Sequence, residues 1–261
     1  MLRLRPLAVI LSLALALCLL GLWRARSQTA APRRVTNTSN EGLNLNPSLS
    51  GNGRRIAFES TEDVAGAGGG AFFRAIRADI SRIPAAFVQL AGARAPAPGI
   101  SQDGSAIAFA AKDDPLGTNA DGNSEIFLHS GTTLRQVTNT TPNDITRRAS
   151  DGNFQPSLSD DGRFIAFHSN RNLTGQNSDG NFEIFVFDAS ANNFSQLTNT
   201  AGGYGSTDAK ISGDGSRVAY IKDSSTLPAV TQEIACSLDR PPNTTATRGF
   251  AGWFIRTTLS T

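Results

Sequence analysis

Histidine, cysteine, tryptophan and tyrosine are nearly missing from these 261 residues, with two of each. A zinc centre of several imidazoles is thereby excluded, since His129 and His168 stand alone and no His-Glu-x-x-His occurs. A lone general base would need a nucleophile, and no Gly-x-Ser-x-Gly elbow accompanies either histidine. Cys18 falls inside an apolar N-terminal run, which leaves Cys236 as the single thiol of a processed chain and rules out an intrachain disulfide there. Leu17 stands before Cys18 where a bacterial lipoprotein signal has a small residue, so lipidation is not expected. Scarce Trp and Tyr argue against stacking platforms for sugars. No long amphipathic helical pattern occurs, so an all-β domain held by burial is expected.

The N-terminus has its own logic. Arg3 and Arg5 precede an apolar run from Leu7 to Leu22, and Ala25-Arg26-Ser27 follow. Basic, apolar and small-residue regions in that order describe a secretory signal peptide over residues 1–27. The competing reading is an uncleaved membrane anchor, short of the roughly 20 residues that span a bilayer. Cleavage removes Arg3, Arg5, Arg24 and Arg26 and no acid, so 24 basic against 22 acidic residues becomes 20 against 22. No basic stripe remains to argue for nucleic acid.

What the chain has in abundance is a repeat. Gln155 to Thr200 contains four apolar runs: Pro156 to Ser159, Arg163 to Ser169, Glu183 to Asp188, and Phe194 to Thr198. Asp161-Gly162 between the first two is the signature of a type I′ hairpin, in which both central residues take positive φ. The near-continuous apolar character of Glu183 to Asp188 predicts a strand buried on both faces. The turn glycines Gly53, Gly104, Gly162 and Gly215 are separated by 51, 58 and 53 residues, one four-stranded unit each. Asn52 replaces Asp in the first turn and is expected to serve the same positive-φ need. The first repeat is irregular: a Gly-rich loop follows Ser60, and Phe72 to Asp79 carries arginines where the others have Glu-Ile-Phe. The fourth has Lys210 to Gly215, Arg217 to Ile221 and Glu233-Ile234-Ala235, but no clear last strand.

These units predict a β-propeller of about four repeats of four antiparallel strands over residues 28–239, with residues 240–261 an unassigned tail. Val35-Thr36-Asn37-Thr38 matches Val137 to Thr140 and Leu197 to Thr200, the last strands of other repeats. It would close a four-bladed ring if it joined the fourth repeat. The alternative is a shortened or incomplete ring.

Ser-x-Asp-Gly-Arg-x-Ile-Ala-Phe at Ser159 to Phe167, Asp-Gly-Asn-x-Glu-Ile-Phe at Asp179 to Phe185, and Gln-Leu-Thr-Asn at Gln196 to Asn199 resemble the WD-repeat-like blades of the TolB-type β-propeller family. The resemblance covers Val35 to Asp223. It implies a periplasmic or secreted scaffold that meets other proteins, as TolB does in a cell-envelope complex. The chain lacks room for TolB's separate N-terminal domain and six blades, so that activity is not carried over. Similar blades precede the catalytic domain of prolyl-oligopeptidase-like hydrolases, and no such domain follows these repeats.

Two loops carry oxygen ligands at alternate positions, Asn119, Asp121, Asn123 and Glu125 in one and Asn177, Asp179, Asn181 and Glu183 in the other. Hard cations such as calcium favour such clusters. An EF-hand is excluded, because Leu128 or Val186 stands where its bidentate Glu belongs. The alternative is a turn feeding the third strand, its Asn side chains satisfying loop backbone. Asp113-Asp114 and Asp160-Asp161 read as turn carboxylates, while Phe164, Phe167, Phe185 and Phe187 are expected to pack between blades. His168 aligns with Ala110 and Glu59, a variable strand position. With no recurring catalytic constellation, the expected function is an exported, non-enzymatic scaffold binding a protein or peptide, with membrane contact only through an uncleaved N-terminus. The alternative is a hydrolase or carbohydrate-active enzyme using channel carboxylates such as Glu125 and Glu183.

Overall fold

The structure, a computed structural model, describes residues 31–39, 41–68, 72–144, 146, 150–201, 205–224, 231–237 and 253–254. The signal-peptide assignment and most of the C-terminal tail lie outside them. Val35–Thr261 form one compact unit.

Among the described residues of that unit sixteen strands form four sheets. The first holds β1 (Asn44–Leu49), β2 (Arg55–Ser60), β3 (Arg74–Asp79) and β4 (Ala86–Ala91), in that spatial order. The second holds β5 (Gly99–Ile100), β6 (Ala106–Ala111), β7 (Glu125–Ser130) and β8 (Thr133–Gln136). The third holds β9 (Asn153–Leu158), β10 (Phe164–Ser169), β11 (Glu183–Asp188) and β12 (Asn193–Gln196). The fourth holds β13 (Ser206–Ile211), β14 (Val218–Ser224), β15 (Thr231–Ser237) and β16 (Trp253–Phe254). Each is an antiparallel meander. The first strands of successive sheets touch one another, β1 with β5, β5 with β9 and β9 with β13, so the sheets radiate from a common inner line as propeller blades do.

The turn after each first strand differs from the expected hairpin. In the third sheet Gly162 N donates to Ser159 O at 2.9 Å, and of these turn residues only Gly162 has positive φ, at 72°. Asp160 and Asp161 keep ordinary negative φ. This is a type I turn followed by a left-handed glycine, not a type I′ turn, and the aspartate has another task. Asp161 Oδ1 accepts from Ser159 Oγ and Arg163 N, while Ser159 Oγ accepts from Phe164 N. Ser101-Asp103 and Ser212-Asp214 repeat the network, and Asn52 replaces the acid through its amide oxygen.

A second recurring device escaped the sequence reading. Asn46, Gln155 and Asp208 in β1, β9 and β13, and Ala97 just ahead of β5, stand at the same distance before the shared turn, and all have φ between 47° and 54°. In the first, third and fourth sheets the register shifts there, so that two residues oppose one aromatic, Phe58, Phe167 or Tyr220. Proline follows in three cases, where extended backbone is the default for the preceding residue. The bulge overrides that preference, and it also removes the need for the N–H that proline lacks.

Between sheets, small side chains on one blade receive large ones from the next. Ala106, Ala108 and Ile126 of the second sheet pack on Ile165, Phe167 and Phe185 of the third. Phe167 and Phe185 stack at 6.0 Å, as Phe109 and Phe127 do at 5.8 Å in the second sheet. Phe164 and Phe187 also join such clusters, and β11 is buried along its whole length, both as expected.

Trp253–Phe254 pair with Ala235 and Cys236, holding the place beside β15 that Val35 to Thr38 would take in a closed ring of four sheets. Val35 packs instead against the first sheet, with Phe58, Ile76 and Phe87.

Candidate functional site

Second strands end, and third strands begin, on one side of the molecule, and the variable residues collect there. It carries a cleft of about 620 Å³ over the first three sheets. Phe72 and Phe73 enter β3, Arg94 and Pro96 belong to the link from β4 to β5, Ala110 to Asp113 leave β6, and Phe154 and Gln155 come from β9. Phe72 is 78% exposed. The arginine is fixed from three sides. Its guanidinium meets the Glu59 carboxylate at 3.2 and 3.3 Å, its Cζ lies 4.5 Å over the Phe73 ring, and its backbone N donates to Asp113 Oδ2 at 3.0 Å. Glu59 is buried and also accepts from Asn46 Nδ2 at 2.6 Å. A buried carboxylate held this way sets geometry more than it adds stability.

Next to this cleft, Phe154 stacks on His168 at 5.6 Å, and Phe182 meets both rings edge-on. Burial pushes the imidazole down to about 4, so it is neutral at pH 7. Its Nδ1 accepts from Asp208 N at 3.4 Å. His129, also lowered by burial and then by Arg77, is a separate strand residue.

The two Asn/Asp loops are organised alike. Asn119 Nδ2 donates to the carbonyls of Lys112, Asp113 and Asn123, and Asn177 Nδ2 to those of Arg171 and Asn181. Asn123 Nδ2 donates to Thr140 O and Oγ1, and Asn181 Nδ2 to Thr200 O and Oγ1. Glu125 is buried and accepts from Thr140 N and Oγ1 and from Asn153 Nδ2. Burial raises its pKa against those hydrogen bonds. Glu183 accepts from Thr198 Oγ1 and from Thr200 N and Oγ1. Both glutamates therefore clamp the segment that follows a last strand to the start of a third strand, buried away from solvent. Asp121 is half-buried and Asp179 exposed. Among the described residues no three His, Cys, Asp or Glu side chains converge on a point, yet the amide oxygens of Asn119, Asn123 and Asn177 are buried without a donor.

Asp114 and Asp161 are turn acceptors, as expected, taking bonds from Thr118 N and Asn119 N and from Arg163 N, whereas Asp113 accepts from Arg94 N of another loop. Sequence reasoning missed Phe72, Phe73, Arg94, Phe154 and Gln155 as one surface. The available signal was the departure of the first repeat from Glu-Ile-Phe.

No protein-family model and no curated protein matches the chain. Solved propeller structures do. TolB from Acinetobacter baumannii is 19% identical, with a TM-score of 0.53 over 86% of this chain and 46% of that one. Prolyl endopeptidases match at 14% identity and a TM-score of 0.54, over 88% of this chain and 32% of theirs. An oligogalacturonate lyase in complex with manganese matches at 13% and 0.50, over 79% and 53%. At such identities the likeness is one of fold: the chain has a TolB-type β-propeller architecture and spans about half or less of the first of these structures.

Proposed function

We propose that this chain is an exported propeller scaffold that binds a protein or peptide partner in the cell envelope, with the Phe72–Arg94 cleft as the contact. The observation that carries the reading is an exposed aromatic, Phe72, at the mouth of an apolar cleft whose arginine is already immobilised. Preorganised groups of this kind bind at low entropic cost, and aromatic and arginine side chains dominate interface energetics. The apolar N-terminal run supports export, and the blade motifs shared with TolB support the class of partner.

A photo-crosslinking residue at Phe72 tests it, expressed in the native host. It is expected to trap a defined partner, and the same residue at Ile83, exposed at the other end of the first sheet, is expected to trap none. Equal yields from both positions would defeat the proposal.

A second reading places calcium at the loops 119–125 and 177–183, favoured by the donorless oxygens of Asn119, Asn123 and Asn177. A cation that binds only the folded chain must raise its melting midpoint. A midpoint equal in calcium and in chelator ends that reading and leaves buried water as the partner of those oxygens.

A further inference from the structure

Each sheet has a front, facing the next sheet in the chain, and a rear, facing the one before. Among the described residues three such junctions exist, formed by Ala57 and Ala75 on Ile107 and Phe109, by Ala108 and Ile126 on Ile165 and Phe167, and by Ala166 and Ile184 on Ala209 and Val218. The sustained contacts between sheets run first to second, second to third and third to fourth, and none of that extent joins the fourth to the first among the described residues. Two surfaces are left over. On the fourth front, Ile234 is 62% exposed, whereas its counterparts Ala75, Ile126 and Ile184 are at most 1% exposed. On the first rear, Leu49 is 58% exposed, against 8% for its counterpart Leu158.

Backbone bonds mark the same two ends. Asn52 N donates to Gln102 O at 2.9 Å, Gln102 N to Asp160 O at 2.9 Å, and Asp160 N to Gly213 O at 2.8 Å. This relay crosses every junction at equivalent turns. Its next donor is Gly213 N and its matching acceptor Gly51 O, and neither has such a partner among the described residues. The first rear is otherwise dressed like the others, since Val35 packs on it as Val137 packs at the second–third junction and Leu197 at the third–fourth.

We propose that two copies of this chain close one ring of eight sheets, the front of each fourth sheet packing on the rear of the other copy's first sheet. The two surfaces are the same pair that meets three times within the chain, so they continue an interface the sequence already encodes. Eight blades lie within the four to eight that propellers use. A two-fold axis through the ring centre makes both head-to-tail contacts close.

The test is the solution mass of the full exported chain by sedimentation equilibrium. The expected mass is that of two chains, falling to half in Leu49→Asp and in Ile234→Asp. Both residues are exposed in the single chain, so folding should survive, which circular dichroism checks. Mixing the two variants should restore the doubled mass, because one of the two junctions then carries neither charge. A monomeric wild type overturns the proposal, as does a mass that grows without limit with concentration. A dimer broken by only one of the substitutions also overturns it, because that pattern belongs to two like faces in contact.

Discussion

The third and first sheets share strand order, turn network and inner-strand bulge, yet their surroundings differ. The third is packed on both faces, with Phe167, Phe185 and Phe187 set between the alanines of its neighbour. The first has one face against the second sheet, while among the described residues the other packs against Val35, Val64, Ala65 and Ile80. The same repeat thus contributes core where it is flanked and site where it is not. Glu59 and His168 hold one strand position. In the first sheet the residue fixes a cleft arginine, and in the third it is an enclosed aromatic spacer.

The glycines of the shared turn break the comparison most sharply. Gly53 and Gly162 have φ of 69° and 72°, but a Cβ at Gly53 would meet nothing within 4 Å, whereas at Gly162 it would come within 2.7 Å of Ala106 Cβ. Valine at either site incurs the left-handed backbone strain of roughly 1–2 kcal/mol. At Gly162 it also overpacks the second–third junction, so Gly162→Val should lose about 3 kcal/mol or more in total. Urea titration measures both. Equal midpoints for the two variants would show that the junction is not as tight as the contact implies.

His168 offers the next largest effect. Its folded pKa is depressed from 6.5 to about 4, so between those values the unfolded chain binds the extra proton. Stability is then full above about pH 6.5 and declines as pH falls toward 4, by at most about 1.4 kcal/mol per unit. His168→Phe should remove this slope. Glu125 has a raised pKa and contributes in the opposite sense, but it titrates in both proteins, so their difference isolates the histidine. Parallel pH profiles would mean that the imidazole is hydrated.

Much of the blade was legible because period-two alternation and recurring Asp-Gly pairs report backbone geometry directly. Four meanders, the double burial of Glu183 to Asp188 and the phenylalanine junctions follow from local pattern. The turn type did not, because Asp161 acts through side-chain acceptance, which composition cannot distinguish from a positive φ. Nor did the left-handed residues Asn46, Ala97 and Gln155, whose following prolines argue locally for extended backbone. The cleft was hidden for another reason. Phe72 leads into the first sheet, Arg94 lies in the link to the second and Phe154 belongs to the third, and only the radial packing brings them together.

The smallest expected difference lies at the ends of the third strands. Asp188 and Asp79 occupy equivalent ends, and each accepts from the backbone N and the hydroxyl of a serine two residues on. Asp188 adds a two-pronged contact from Arg163, at 3.0 and 2.8 Å, which holds its carboxyl well below the usual range. Asp79 is lowered first by Ser81, and its arginine, Arg82, stands 3.4 Å away on an exposed turn. Asp188→Asn should therefore cost about 1 kcal/mol near neutral pH, as a well-aligned but partly exposed ion pair does. The loss should vanish as pH falls through the native Asp188 range, where the wild-type carboxylate is itself protonated. Asp79→Asn should shift the midpoint less, and added salt should shrink what effect it has, because water reaches that pair from most sides. If salt erased both effects equally, the flanked position of the third sheet would confer no protection from screening, and the contrast between the two blades would be confined to their apolar faces.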